Sequence, residues 1–147
     1  MIKYYSNHKE EEMAAELIRS ETDGTLAFGD YTLSEKKKQE DFKAGGVVYK
    51  VKTFNEITRL EGDGMLVYES VPGTNVTGLK KTGTGLVFQA EGSEDAQITV
   101  GVEPETSYDV KISGASIGVI TSNLGGKLSF GIELQGAGKV AVEVSKA

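Results

Sequence analysis

The only imidazole in this 147-residue chain is His8, and there is no cysteine. A Ser-His-Asp or Cys-His nucleophile needs an imidazole beside the attacking atom, so either would have to use His8. Its surroundings, Ser6-Asn7-His8-Lys9-Glu10-Glu11, are polar and lack apolar periodicity. The sequence reads His8 as an idle side chain in a polar leader over residues 1–12, expected to be disordered. Metal centres of the cupin or zincin kind use several imidazoles, and thiolate centres use cysteine. No catalytic residue, metal or cofactor is therefore assigned.

Carboxylates are the other source of chemistry. They cluster at Glu61 and Asp63, at Glu91, Glu94 and Asp95, and at Glu103 and Glu105. Two carboxylates across a sugar can hydrolyse a glycoside, and oxygen-rich loops can hold Ca²⁺. Neither chemistry specifies these spacings, and Glu21-Thr22-Asp23-Gly24 is only a fragment of a calcium loop. Acidic hairpin turns are the simpler reading. Gly83-Thr84-Gly85 and Gly136-Ala137-Gly138 do not extend into a phosphate-binding motif, and no helix follows them. They too are expected to be hairpin turns.

A flat aromatic ring can cover the apolar face of a sugar. Tryptophan is absent, and there are six tyrosines and five phenylalanines. Phe28, Tyr49, Phe88, Tyr108 and Phe130 occupy positions that alternate inward. Tyr31 and Tyr68 are freer to be exposed, and they are the two candidate binding residues, as a sugar platform. Core or interface packing is the competing reading for both.

The elements that would position these groups are strands. Tyr108, Val110 and Ile112 share one face of an extended segment, as do Leu128, Phe130, Ile132 and Leu134, and Val140, Val142 and Val144. Alternation between glycine-rich turns marks half-buried antiparallel strands. Similar runs lie at Leu26–Phe28, around Tyr49, from Met65 to Val71, around Phe88 and around Ile98. Residues 34–43 read as a charged surface loop or helical turn, with Lys36-Lys37-Lys38 as solvated linker. Two segments compete between helix and strand. In residues 10–20, Met13, Ala14, Leu17 and Ile18 have helical spacing. In residues 53–61, Thr53 and Glu56 have the spacing of a capping box.

Formal net charge is −6, with only two arginines, Arg19 and Arg59. No basic face with interleaved aromatics is visible, which argues against a nucleic-acid partner. No run approaches the roughly 20 apolar residues of a membrane span, and the N-terminus has no apolar signal core. The chain as given is expected to be cytoplasmic, with export left open, and to have no membrane partner.

Two resemblances add to this reading. Val102-Glu103-Pro104-Glu105-Thr106-Ser107-Tyr108-Asp109-Val110 resembles the apolar-x-Pro-x-Thr-x-Tyr-x-Val stretch of fibronectin type III-like, immunoglobulin-like β-sandwiches. There the tyrosine is structural, its hydroxyl bonding to backbone just upstream, and Tyr108 is expected to do the same. The strand order after it departs from that family, so the resemblance implies a sandwich and not its topology.

Over residues 15–147 the chain also resembles short proteins of gut Firmicutes labelled endosialidase, or its catalytic beta chain. The likeness lies in Asp23-Gly24-Thr25-Leu26-Ala27-Phe28-Gly29-Asp30-Tyr31, Val67-Tyr68-Glu69-Ser70-Val71-Pro72-Gly73-Thr74 and Asn123-Leu124-Gly125-Gly126-Lys127-Leu128. It implies a small β protein. Propeller sialidases grip their substrate carboxylate with three arginines, carry tryptophan-containing Asp boxes and need several blades. Two arginines, no tryptophan and this length leave that activity no residues to be carried onto. The chain is expected not to be an enzyme.

The expected fold is all-β, an antiparallel β-sandwich or two small β units of ten to twelve strands. The expected division is an N-terminal mixed unit over residues 13–75 and a C-terminal sandwich-like unit over 76–147. The expected function is a non-catalytic structural or protein-interaction module that self-associates as a homo-oligomer. A carbohydrate-binding accessory module, sialosides included, is the alternative, and a carboxylate-based glycosidase the second alternative.

Overall fold

The computed structural model describes residues 16–147. The polar leader over residues 1–12, His8 included, and residues 10–15 of the first helix candidate lie outside the described residues. The described part of that candidate is extended, beginning with the strand Ile18–Ser20.

The fold follows from side chains that alternate with a period of two. In chain order the strands are β1 (Ile18–Ser20), β2 (Leu26–Phe28), β3 (Lys37–Ala44), β4 (Val47–Phe54), β5 (Ile57–Gly62), β6 (Met65–Val71) and β7 (Asn75–Lys81). They continue as β8 (Gly85–Glu91), β9 (Ala96–Gly101), β10 (Ser107–Ile112), β11 (Ala115–Thr121), β12 (Lys127–Ile132) and β13 (Val140–Lys146). In β12, Leu128, Phe130 and Ile132 are buried while Lys127, Ser129 and Gly131 are exposed. In β13, Val140, Val142 and Val144 are buried. Such strands must lay their apolar face against a second layer.

That layer is supplied by a second sheet. One sheet has seven strands in the order β1-β2-β7-β8-β13-β10-β11, the other six in the order β12-β9-β6-β5-β4-β3. Every pairing is antiparallel. The sheets do not close into a barrel. Both take strands from either side of residues 75 and 76, and one apolar cluster runs from Leu17 to Val144 between them. The chain crosses from sheet to sheet after β2, β6, β8, β9, β11 and β12.

Three sequence expectations change. The helix candidate over residues 53–61 is a hairpin, in which Phe54 pairs with Ile57 across Asn55-Glu56. Val51, Thr53, Thr58 and Leu60 all turn inward, so the period is two, and β-branched residues suit the extended backbone. The Thr53 hydroxyl bonds Thr58 Oγ1 at 2.8 Å and caps no helix. Of residues 34–43, read as loop or helical turn, residues 37–43 lie in β3. This strand sits at the sheet edge and pairs only with β4, so most of its side chains stay wet and the alternation is muted. Lys37 and Lys38 are strand residues there. Finally, Gly136-Ala137-Gly138 and the Glu91–Asp95 region are not hairpin turns. They carry the chain between sheets, and Asp95 Oδ1 accepts the N–H groups of Leu134 (3.0 Å) and Gln135 (3.1 Å), tying the two crossings together.

Candidate functional site

Tyr31 and Tyr68 do not form a platform. Tyr31 is half-buried, and its N–H donates to Asn75 Oδ1 at 3.0 Å. Tyr68 is 0% exposed. Its ring meets Phe28 and Phe88 edge-on, with centroids 5.4 and 5.3 Å away. Its hydroxyl lies 2.8 Å from Thr74 Oγ1. Burial, opposed by hydrogen bonds to Thr74 and Ser70, pushes the phenol up to about 12. Tyr68 is a core residue.

Each carboxylate cluster has at least one member with a structural partner, Asp95 among them. Arg59 Nε donates to Glu61 at 3.0 Å and its Nη1 to Glu69 at 2.6 Å. The bond to Glu61, reinforced by Glu69, holds the guanidinium pKa above its ordinary value. Asp63 Oδ1 accepts the Val48 N–H at 3.0 Å. The Glu103 carboxylate is 2.6 Å from Lys146 Nζ. Among the described residues, no group of three or more His, Asp or Glu side chains converges as metal ligands. Tyr108 does what its motif led one to expect, accepting the Glu103 N–H at 3.1 Å.

Two surface features remain without an internal role. The first is β11, at the edge of the seven-stranded sheet. It pairs only with β10, and of its seven residues only Ile120 is even half-buried and packed on the core. Ile117 and Val119 are 48% and 60% exposed. The strand Ala-Ser-Ile-Gly-Val-Ile-Thr carries no charge. A register shift opposite Val110 and Lys111 bends it beside Gly118, increasing the local twist.

The second is a cleft of about 810 Å³ at one end of the sandwich. Here β4, β6, β8, β10 and β12 begin and β5, β7 and β9 end. Val47, Tyr49 and Val67 line it from one sheet, and Leu79, Leu86 and Tyr108 from the other. Burial and the negative charge of Asp63 raise the Tyr49 pKa, so that wall stays neutral. Lys81 and Lys127 stand among its lining residues with Asp63 and Glu103.

Nothing in the sequence of the β11 segment signals its edge position. Sequence reading missed the cleft, which is assembled from strand ends far apart in the chain. Comparison with protein-family models, curated proteins and solved structures finds no match.

Proposed function

We propose that this protein is a non-catalytic β-sandwich module that acts by self-association, two copies joining through their β11 edges. The observation that carries this reading is an uncharged edge strand with Ile117 and Val119 about half exposed. An unpaired edge offers a row of N–H and C=O groups to another strand. On a chain of net charge −6, a stretch without charge is where two copies meet with least repulsion. The other edges are poorer templates. Edge strand β3 carries Lys37, Lys38, Glu40, Asp41 and Lys43, β1 has three residues, and β12 presents Lys127.

A two-fold pairing places the same patch on both copies. Centred on Gly118, antiparallel pairing sets Ile117 of each copy opposite Val119 of the other, so each exposed side chain gains an apolar neighbour. Such a pair consumes both edges and closes. Sedimentation and light scattering across concentration test it. The expected result is a dimer that Val119→Lys converts to a monomer with an unchanged β-type circular dichroism spectrum. A parent protein that stays monomeric at all concentrations, or a dimer indifferent to Val119→Lys, would sink the proposal.

A further inference from the structure

We infer that the cleft at the end of the sandwich is a binding site for a single-chain amphipathic anion, a fatty carboxylate. Its alkyl tail would lie in the cleft over Val67, Leu79 and Leu86, and its head at Lys81 and Lys127. The volume, about 810 Å³, falls within the roughly 300–1,000 Å³ of small-molecule sites. The apolar lining open to solvent is Val47, Tyr49, Met65 and Leu66; Val67, Leu79 and Leu86 behind it are nearly closed off, at 9%, 4% and 4% exposure. Apolar surface of this kind favours a hydrocarbon over a sugar, which needs several polar groups to replace its water.

Charge selects the head group. Of the two acids at the mouth, Glu103 is paired with Lys146, while Asp63 accepts the neutral Val48 N–H and keeps its charge. Lys81 and Lys127 take part in none of the ion pairs among the described residues. Lys81, Lys127 and Lys146 against Asp63 and Glu103 leave one net positive charge around the cleft, on a protein whose overall charge is −6. A carboxylate held by two ammonium groups matches it, whereas an alkyl cation does not. This inference is independent of the edge pairing, since β11 contributes no residue to the cleft.

The test is calorimetric titration of the full chain with octanoate, decanoate, dodecanoate and tetradecanoate, each below its micelle concentration. The matching alcohols and alkyl trimethylammonium salts serve as probes of the head. The expected result is saturable binding, one ligand per chain, tightening about fourfold per added methylene. The alcohol is expected to bind at least tenfold more weakly, and the cation more weakly again. Lys81→Glu with Lys127→Glu, both at exposed positions, should lose at least tenfold for dodecanoate and leave dodecanol unchanged. Should that variant misfold, Met65→Glu, at a lining residue 71% exposed, is expected to shift affinity the same way. Equal affinity for acid and alcohol would overturn the head-group assignment, and so would a charge-reversed variant that still prefers the acid. Absence of saturable binding by every probe would overturn the site. Repeating the titration on Val119→Lys separates the cleft from the edge: retained binding there supports the cleft, and lost binding overturns it.

Discussion

The phenol oxygen of Tyr68 and the hydroxyl of Thr74 lie 2.8 Å apart in the core, one on β6 and the other in the crossing that follows it. Thr74 Oγ1 is also 2.7 Å from Ser70 Oγ. The Thr74 N–H donates to Thr58 Oγ1 at 3.0 Å, and its carbonyl accepts from that hydroxyl at 2.8 Å. Thr58 Oγ1 in turn meets Thr53 Oγ1, which accepts the Asp30 N–H at 2.9 Å. Two crossings between sheets, after β2 and after β6, are thus fastened to one sheet by neutral hydroxyls. Every buried side-chain oxygen and nitrogen among the described residues has a partner. That is the condition under which such a network can stabilise a core.

Removing one member strands the others. Tyr68→Phe deletes one bond and is expected to cost about 1–2 kcal/mol in urea unfolding. Thr74→Val deletes two and leaves both Tyr68 and Ser70 short of a partner, so it should cost more, about 2–4 kcal/mol. The double variant should fall short of the sum, because the two changes share a bond.

The same tyrosine gives an alkaline signature. Its pKa is 10.0 in the unfolded reference and about 12 in the fold. Between these values the unfolded chain binds fewer protons than the native one, so stability falls as pH rises. The contribution is fully present below pH 10 and is lost as pH climbs toward 12, with a limiting slope of about 1.4 kcal/mol per pH unit. Urea midpoints measured across this window should fall less steeply for Tyr68→Phe than for the parent. Equal slopes would mean that Tyr68 ionises as readily in the fold as out of it.

Tyr68 also shows where the sequence stops being legible. β12 and β13 alternate without a break, and their core faces can be read directly, as can the structural role of Tyr108. In β6 the register slips opposite Leu60 and Glu61, and Val67 and Tyr68 are buried side by side. A bulge hides which parity faces inward, so Tyr68 looks free when read alone. Strand β3 is obscured for a different reason: an edge strand is wetted on more sides and need not show two contrasting faces. The edge position of β11 depends on pairings made elsewhere. So does the cleft, whose Leu79, Leu86 and Val47 meet only after both sheets assemble.

Arg59 joins two carboxylates on the outer face of the six-stranded sheet, with about a third of its side chain exposed. Its cross-strand neighbours are Lys52 on one side and Glu69 on the other. Arg59→Met should destabilise by about 1 kcal/mol at low salt, leaving Glu61 and Glu69 without their shared cation. The loss should shrink in high salt, where exposed charges are screened. Urea midpoints at two ionic strengths check this; a salt-independent loss would point to packing instead.

Two glycines separated by one residue should respond oppositely to the same methyl group. A Cβ on Gly85 would collide with the Val144 carbonyl oxygen across the β8–β13 pairing. Gly85→Ala should therefore cost about 1–3 kcal/mol through forced separation of the strands. A Cβ on Gly83 meets nothing within 4 Å. Gly83→Ala should be neutral, or stabilise by up to about 1 kcal/mol by restricting the unfolded chain. Comparable losses at both positions would show that the hairpin itself, and not the contact with Val144, requires glycine.

The charges of β3 provide the counterpart to the bare edge of β11. Lys37, Lys38, Glu40, Asp41 and Lys43 crowd an otherwise open strand, and Asp41 sits at positive φ, 60°, within a register shift. Charge and a bulge are both devices that keep an edge from pairing. Lys38→Ile with Glu40→Ile, made in the Val119→Lys background so that β11 is blocked, should create a new route to association. Light scattering should then rise with concentration, while Val119→Lys alone stays monomeric. If the double replacement leaves the protein monomeric, the bulge at Asp41 suffices to protect this edge, and its charges serve solubility alone.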